Sequence, residues 1–301
     1  MSFKLFTSRI LQKKNNKTIF LHIGSPKTAT SSIQHQLLES SRELSRIGFE
    51  YCCNSYKLGE ILSSYSRLPD EKLSLTISDW EQEIQNSSQP NLIISSESLY
   101  GDFYNPLLTT ETIAVSLKRI FSKYSVIILF VAREQLGFHK SLYMQSIKEG
   151  STKTYSQFCH DVSIFNFNWV EIADIYAKYF GANALKCFWY EDLISETSTP
   201  AEILLSSLTP SNSTVSLSKK GSKSNISLGH LGTEILRSVN GILSNDQRIK
   251  LWELLGSNKE FQNTELFSKS IQYEPNDEVL DFYLESNTLF TNKYTKGINH
   301  A

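Results

Sequence analysis

The segment Tyr124–Ala132 constrains the fold most, because it is apolar almost without a break. Such a run predicts a strand buried on both faces, as in the centre of a parallel sheet covered by helices on each side. Runs rich in β-branched and aromatic residues predict further strands at Thr18–Ile23, Asn91–Ser95 and Ala184–Tyr190, with helical patterns between them. The sequence therefore predicts an α/β fold with a parallel central sheet.

The organisation along the chain indicates one large domain. The 301 residues can bury a sizeable core, and we expect a single domain over 18–301 after an N-terminal arm at 1–17. Two helical patterns predict a helical insertion at 56–89, able to shape a substrate cleft. The polar stretch 206–227 predicts a long loop, and 228–301 is predicted to be mainly helical.

The charge balance limits the partners that this chain can recognise. With 30 Lys and Arg against 31 Asp and Glu, nothing favours nucleic acid or an anionic membrane as the main partner. The apolar stretch in the 1–17 arm is too short for a signal peptide or a transmembrane segment, although weak contact with a membrane surface is an alternative to a frayed arm. The four cysteines form no C-x-x-C pair and are predicted to be reduced thiols in a cytoplasmic protein.

A short loop follows the first predicted strand. It reads Gly24-Ser-Pro-Lys-Thr-Ala-Thr-Ser-Ser, with Lys27 in the turn and hydroxyl side chains where a helix begins. Free amides at a helix N-terminus, the helix dipole and an ammonium together favour binding of phosphate or sulfate. Only two residues separate Gly24 from Lys27, which excludes a Walker A loop. The alternative is an ordinary capped turn that binds nothing.

The helix after this loop is predicted from its apolar positions. Ile33, Leu37, Leu44 and Ile47 share one face, and Gly48 is the expected stop.

A second motif follows the central strand. Arg133 comes directly after it, and Ser141, Gln145 and Lys148 share one polar face of the next predicted helix. A guanidinium presents a planar fork and Ser141 a hydroxyl, which suits a terminal phosphate. The alternative is a solvated helix face.

The two motifs together resemble those of PAPS-dependent sulfotransferases, in the bacterial and polysaccharide branch. Gly24–Ser32 is similar to the family's 5′-phosphosulfate loop, and Arg133 with Ser141 is similar to its 3′-phosphate motif. The resemblance implies a P-loop-type fold, 3′-phosphoadenosine 5′-phosphosulfate (PAPS) as donor, and a hydroxyl acceptor on a saccharide or glycolipid. The donor-binding residues that it implies are Gly24, Ser25, Pro26, Lys27, Thr28, Ala29, Thr30, Ser31, Arg133, Ser141, Lys220 and Gly221.

Ala29 and the basic loop at Lys220 and Gly221 each depart from a simple match to the family or allow another interpretation. Ala29 stands where the family has Gly, and a positive φ there would be costly for Ala. Lys220 and Gly221 belong to a basic loop similar to the one that closes over the donor's 3′-phosphate, but solvated lysines explain it equally well.

Sulfonate transfer needs a base near the loop. Glu97 follows the strand at 91–95 and is our first candidate, with capping of the next turn or pairing with Lys27 as the alternative. His35 is the second candidate. His22 is predicted to be a satisfied core residue, while His139 is interpreted as either a surface residue or an acceptor contact. No His, Cys or Asp spacing predicts a metal site.

The sequence thus predicts a sulfotransferase in which Lys27 holds the phosphosulfate and Glu97 accepts a proton. Two other classes stay open: a kinase-like transferase, and a catalytically silent protein that binds a nucleotide or a glycan.

Overall fold

The structure is a computed structural model that describes residues 17–53, 55–63, 69–195, 197–209, 215–217, 228–258, 261 and 277–295. The strands are β1 (Thr18–Gly24), β2 (Phe49–Tyr51), β3 (Asn91–Ser95), β4 (Ser125–Ala132) and β5 (Leu185–Trp189). The helices are α1 (Thr30–Glu39), α2 (Ser41–Arg46), α3 (Ser55–Ser63), α4 (Asp70–Asn86), α5 (Thr110–Ile120), α6 (Gln135–Lys148), α7 (Tyr155–Asp161), α8 (Trp169–Phe180), α9 (Pro200–Ser206), α10 (His230–Val239), α11 (Asn245–Ser257) and α12 (Asp277–Phe290).

The strands form one parallel sheet in the order β2-β3-β1-β4-β5. The apolar run that was expected to be a central strand is β4, which pairs with β1 on one side and β5 on the other. The other predicted strands are β1, β3 and β5, each within one residue of its predicted bounds. Helices cover both faces, so the predicted three-layer α/β fold is confirmed.

The side chains of β1 show how the two helical layers are built. Ile19, Leu21 and Ile23 belong to a large core with α4, α5, α6 and α8, whereas Phe20 belongs to a second core with α1, α2 and α9. Successive residues of a strand point to opposite faces, so a continuous apolar sequence fills both cores.

The segment after β1 differs from the single predicted helix. The helix is interrupted at Ser40, whose φ of −99° and ψ of 30° lie outside the helical region, and α2 begins at the next residue. The break redirects the chain so that Leu44 still reaches the same core as Ile33 and Leu37. Gly48 follows α2 with a φ of +80°, as a stop residue should, and the three-residue strand β2, which the sequence analysis missed, comes directly after it.

The helices predicted at 56–89 are α3 and α4, and they form the crossover from β2 to β3. The described part of 228–301 is mainly helical and contacts the rest of the chain. There, Gln135 at the start of α6 exchanges side-chain hydrogen bonds of 2.7 and 2.9 Å with Asn287 on α12. Among the described residues, no helix is long and apolar enough to cross a membrane.

Candidate functional site

The candidate site lies at the carboxyl edge of the sheet, where each strand delivers one part of it. Since the strands are parallel, their order sets the order of these parts along the edge. From one side to the other they are Tyr51 at the end of β2 with Cys53 beyond it, Glu97 after β3, the Gly24–Ala29 loop after β1, Arg133 after β4, and Tyr190 after β5. Ligands of open α/β sheets bind at this edge.

The loop is tied to the neighbouring strand by Ser25. Its amide and its hydroxyl both donate to the carbonyl of Val131, at 2.8 and 2.9 Å. The hydroxyls of Thr28 and Thr30 donate to the Ser25 carbonyl at 2.6 and 3.3 Å, and all three hydroxyl residues are buried. The loop therefore uses these hydroxyl protons to hold its own shape. Of the four hydroxyl side chains of the 24–31 segment proposed to bind the donor, Ser31 is the exposed one.

Backbone conformation gives the loop its tight turn. Gly24 has a φ of +84°, and Lys27 and Ala29 adopt left-handed values of +61° and +62°. Ala29 is the residue immediately before α1, and no side chain among the described residues caps that helix. The first-turn amides of α1 are thus left for another partner. The positive φ that would make Ala29 costly is the one observed.

The Lys27 ammonium points toward α6, where it donates to Oε1 of Gln145 at 3.3 Å. Burial lowers the pKa of Lys27 below its ordinary 10.5; Glu97 opposes that shift, whereas Lys148 and Arg133 add to it. Three cationic side chains, Lys27, Arg133 and Lys148, are therefore close enough to repel one another, with the carboxylates of Glu97 and Glu149 offsetting part of that repulsion. Such a group favours an anion, which would offset the repulsion among them.

Arg133 is held from three directions. One guanidinium nitrogen, Nη1, donates to the Lys27 carbonyl at 2.9 Å, and the guanidinium lies 4.8 Å from the ring centroid of Tyr190. The indole of Trp169 donates to the Arg133 carbonyl at 2.8 Å. The fork is thereby pre-positioned beside the loop, with N–H groups that remain for a ligand.

Glu97 begins the short 3₁₀ turn Glu97–Leu99 that follows β3. A Cβ added to Gly24 would lie 3.1 Å from the Glu97 Cα, so the glycine permits this close approach. The residue as a whole is exposed. Partial desolvation of its carboxyl group raises the pKa above the ordinary 4.5, and the charge of Lys27 acts in the opposite direction. A carboxylate of raised pKa is a better proton acceptor.

Two other predicted residues, Ser141 and His35, lie on the helices that follow Arg133 and the loop. Ser141 is half-buried on α6, and His35 is exposed on α1, where its Nδ1 lies 3.5 Å from Glu39. Lys220 and Gly221 lie outside the described residues. Among the described residues, no group of three or more His, Cys, Asp or Glu could hold a metal ion.

Two histidines differ from their sequence-based interpretation. His139 is buried and forms hydrogen bonds with the Tyr155 hydroxyl and the Val162 carbonyl, so it is neither a surface residue nor a contact for the acceptor substrate. His22 is buried as predicted, and its Nδ1 lies 2.8 Å from Ser95 Oγ, but among the described residues its Nε2 has no hydrogen-bond partner. Burial lowers the pKa of His22 to about 4, so the ring is neutral at pH 7.

Several residues that position the site are not predicted by the sequence motifs. Trp169 and the stacking of Tyr190 on Arg133 were not foreseen, and neither was Glu134, which caps α6 by accepting the amides of Leu136 and Gly137 at 2.9 and 2.7 Å. An acidic residue immediately before a helix was the available signal for Glu134. The contacts to Arg133 carry no local signal.

No family model matches this chain, and no curated protein matches its sequence. Among solved structures, a sulfotransferase from Alicyclobacillus acidocaldarius is similar over 81% of this chain and 98% of that chain. The sequence identity is 11% and the TM-score is 0.45. A likeness of this size supports no conclusion about activity.

Proposed function

We propose that this protein is a sulfotransferase that moves a sulfonate group from PAPS to a hydroxyl, in keeping with the resemblance of its two motifs. The observation that carries the proposal is the direct hydrogen bond from Arg133 to the Lys27 carbonyl. In this proposal, the bond joins the loop that holds the 5′-phosphosulfate to the side chain that holds the 3′-phosphate.

The residues present suit a donor with phosphate groups at two ends. The uncapped first turn of α1 and the Lys27 ammonium suit the phosphosulfate, because backbone amides and a cation both stabilise oxyanions. The Arg133 fork suits the second phosphate. Holding both ends would fix the sulfur for attack, so that positioning supplies much of the rate.

The proposed reaction is an in-line displacement at sulfur. The acceptor oxygen forms a bond to sulfur as the bond from sulfur to the bridging phosphate oxygen breaks, which releases 3′-phosphoadenosine 5′-phosphate (PAP). Glu97 takes the proton of the acceptor hydroxyl. The ammonium of Lys27 balances the negative charge that develops on the leaving phosphate.

The proposal is tested first by donor binding. PAP at about 100 times its dissociation constant should stabilise the fold by about 2.7 kcal/mol without added metal. Lys27→Ala should abolish most of that stabilisation, whereas Lys250→Ala, an exposed lysine on α11, should leave it unchanged. No stabilisation by PAP, or an equal stabilisation in Lys27→Ala, would overturn the donor assignment.

An activity assay distinguishes the proposed sulfotransferase from a catalytically silent protein and from a kinase-like transferase. Transfer of labelled sulfonate from PAPS to a panel of glycans should occur with the wild type and be lost in Lys27→Ala. Tight PAP binding without any transfer would indicate a catalytically silent protein. Stabilisation by Mg²⁺ and ATP in place of PAP would indicate a kinase-like transferase.

A further inference from the structure

A cleft of about 260 Å³ lies beside α1 at the same edge of the sheet. Four lining residues come from one side of α1, and three come from the ends of β2 and β3. They are Ser31, Gln34, His35 and Leu38, with Tyr51, Cys53 and Ser95. The proposed function assigns no role to this cleft.

The strand order places the cleft opposite the residues assigned to the donor's second phosphate. Arg133 follows β4, on one side of the β1 loop, whereas the cleft lies over β3 and β2, on the other side. Glu97 is two residues beyond Ser95, and Ser31 belongs to the first turn after the loop. A ligand in the cleft would therefore lie next to the loop and the proposed base without competing for the Arg133 fork.

The described residues that line the cleft are uncharged, and their apolar surface exceeds their polar surface. Among the described residues that line it, none is Lys, Arg, Asp or Glu, and Glu39, which lies 3.5 Å from the His35 ring, is acidic. An anionic ligand would find no cation here and would be repelled by Glu39. Hydroxyl, amide and imidazole groups instead suit a neutral ligand with several hydroxyls.

The amide of Gln34 is anchored for such a contact. Its Nε2 donates to both the carbonyl and the hydroxyl of Ser95, each at 3.2 Å. Among the described residues, its Oε1 has no hydrogen-bond partner, so it can accept from a ligand hydroxyl. Tyr51 and Leu38 offer apolar surface to the non-polar face of a ring.

We propose that this cleft binds the acceptor, and that the acceptor presents a neutral hydroxylated ring such as an unsubstituted pyranose. The inference rests on the proposed function and adds the acceptor's class and place. The cleft is just below the roughly 300–1,000 Å³ of sites for drug-sized ligands, which suits a single ring. A uronate or an already sulfated sugar is disfavoured.

Cys53 offers a readout that does not depend on turnover. It is exposed in the cleft, Cys159 on α7 is half-buried and distant in sequence, and Cys52 and Cys187 are buried. Alkylation by iodoacetamide can be followed at each cysteine by peptide mass spectrometry. The probes are methyl glucoside, methyl galactoside and methyl glucuronide, each with and without PAP.

A neutral glycoside at about nine times its dissociation constant should slow alkylation of Cys53 about tenfold by mass action. Alkylation of Cys159 should not change. PAP alone should leave Cys53 reactive. The proposal is overturned if neither neutral glycoside protects Cys53, if PAP alone protects it as well, or if the glucuronide protects it equally.

A matched pair of variants tests the same cleft through kinetics. Leu38 in the cleft and Leu75 on α4 are 56% and 57% exposed, so a charge at either position is tolerated by folding. Leu38→Asp should raise KM for the neutral glycoside at least about tenfold, because it removes binding that the ground state and the transition state share. The values of kcat and of PAP affinity should stay within about twofold of wild type. Leu75→Asp should behave as wild type.

The two proposals fail differently. If PAP does not stabilise the wild type, the proposed function fails. If PAP binds and Leu38→Asp leaves KM unchanged, the sulfotransferase assignment stands and the acceptor cleft is wrong.

Discussion

The guanidinium of Arg133 donates a 2.9 Å hydrogen bond to the backbone carbonyl of Lys27, 106 residues earlier in the chain. The side chain that suits one phosphate thus supports the loop that suits the other. Because the bond uses one N–H of the fork, a single substitution at Arg133 should affect both loop geometry and ligand binding.

Arg133→Lys keeps the charge but loses the fork. We expect the dissociation constant of PAP to rise about 10- to 100-fold, since a hydrogen bond to a charged group contributes about 1.5–3 kcal/mol. Isothermal titration calorimetry measures this directly. The control is Arg119→Lys, which changes an exposed arginine paired with Asp70. Equal PAP affinity in Arg133→Lys and wild type would contradict the role of the fork.

Gly24→Ala tests the approach of the loop to Glu97. At Gly24 a Cβ would meet both a positive φ and the Glu97 backbone, whereas at Gly181, with a φ of +91°, no described atom outside its chain neighbours lies within 4 Å of such a Cβ. Gly181→Ala should lower the free energy of unfolding by the backbone strain alone, about 1–3 kcal/mol, while Gly24→Ala should lower it by about 1–3 kcal/mol more. Urea unfolding gives both values. Similar losses would mean that the contact with Glu97 does not matter.

Ala29→Gly should stabilise the protein, unlike most changes from Ala to Gly. The left-handed conformation costs Ala about 1–2 kcal/mol, and the added freedom of the unfolded glycine removes about 0.4–1 kcal/mol of the gain. We expect a net increase of about 0.5–1 kcal/mol in the free energy of unfolding. Ala177→Gly, inside α8, should instead lose about 1 kcal/mol. A loss of that size in Ala29→Gly would argue against the left-handed conformation.

The pH dependence of kcat/KM should follow Glu97 and Lys27, because kcat/KM reports the pKa values of the free enzyme. Activity should rise through a pKa above 4.5 as Glu97 becomes a base, and fall at high pH through a pKa below 10.5 as Lys27 loses its proton. Glu97→Gln should remove the acidic limb and reduce kcat about 10²- to 10⁴-fold, with PAP affinity kept. An unchanged profile in Glu97→Gln would exclude Glu97 as the base.

His22 should make stability depend on pH. Its folded-state pKa of about 4 is below the ordinary 6.5, so between these values the unfolded state binds more protons. The free energy of unfolding is therefore unaffected by His22 titration above pH 6.5. As the pH falls to about 4, protonation of His22 in the unfolded state lowers the free energy of unfolding by about 3 kcal/mol in all. His22→Leu should flatten urea-derived stability over this range, whereas His160→Leu, on exposed α7 surface, should not.

Much of the fold could be predicted because its signals are local. The apolar run of β4 and the β-branched runs of β1 and β3 report how deeply each strand is buried. The three-residue strand β2 was missed because it is too short to show a period. The break at Ser40 was missed because apolar spacing continues across it, although the backbone does not.

The candidate site could be predicted only in part. The sequence placed Lys27 and Arg133 after strands, and parallel pairing then brought both to one edge. It did not show that the hydroxyls of Thr28 and Thr30 turn inward to the Ser25 carbonyl, because an accessible and an inward hydroxyl have the same sequence. Nor did it indicate the surroundings of the two buried histidines.

The sequence by itself determined the α/β class, the short spacing from Gly24 to Lys27, and an arginine directly after the central strand, since each depends on neighbouring residues alone. Only the tertiary structure decided that β4 lies beside β1, so that Arg133 reaches the Lys27 carbonyl, and that β3 and β2 lie on the other side, where the cleft beside α1 opens. Strand order is set by packing between distant segments, and no local pattern encodes it.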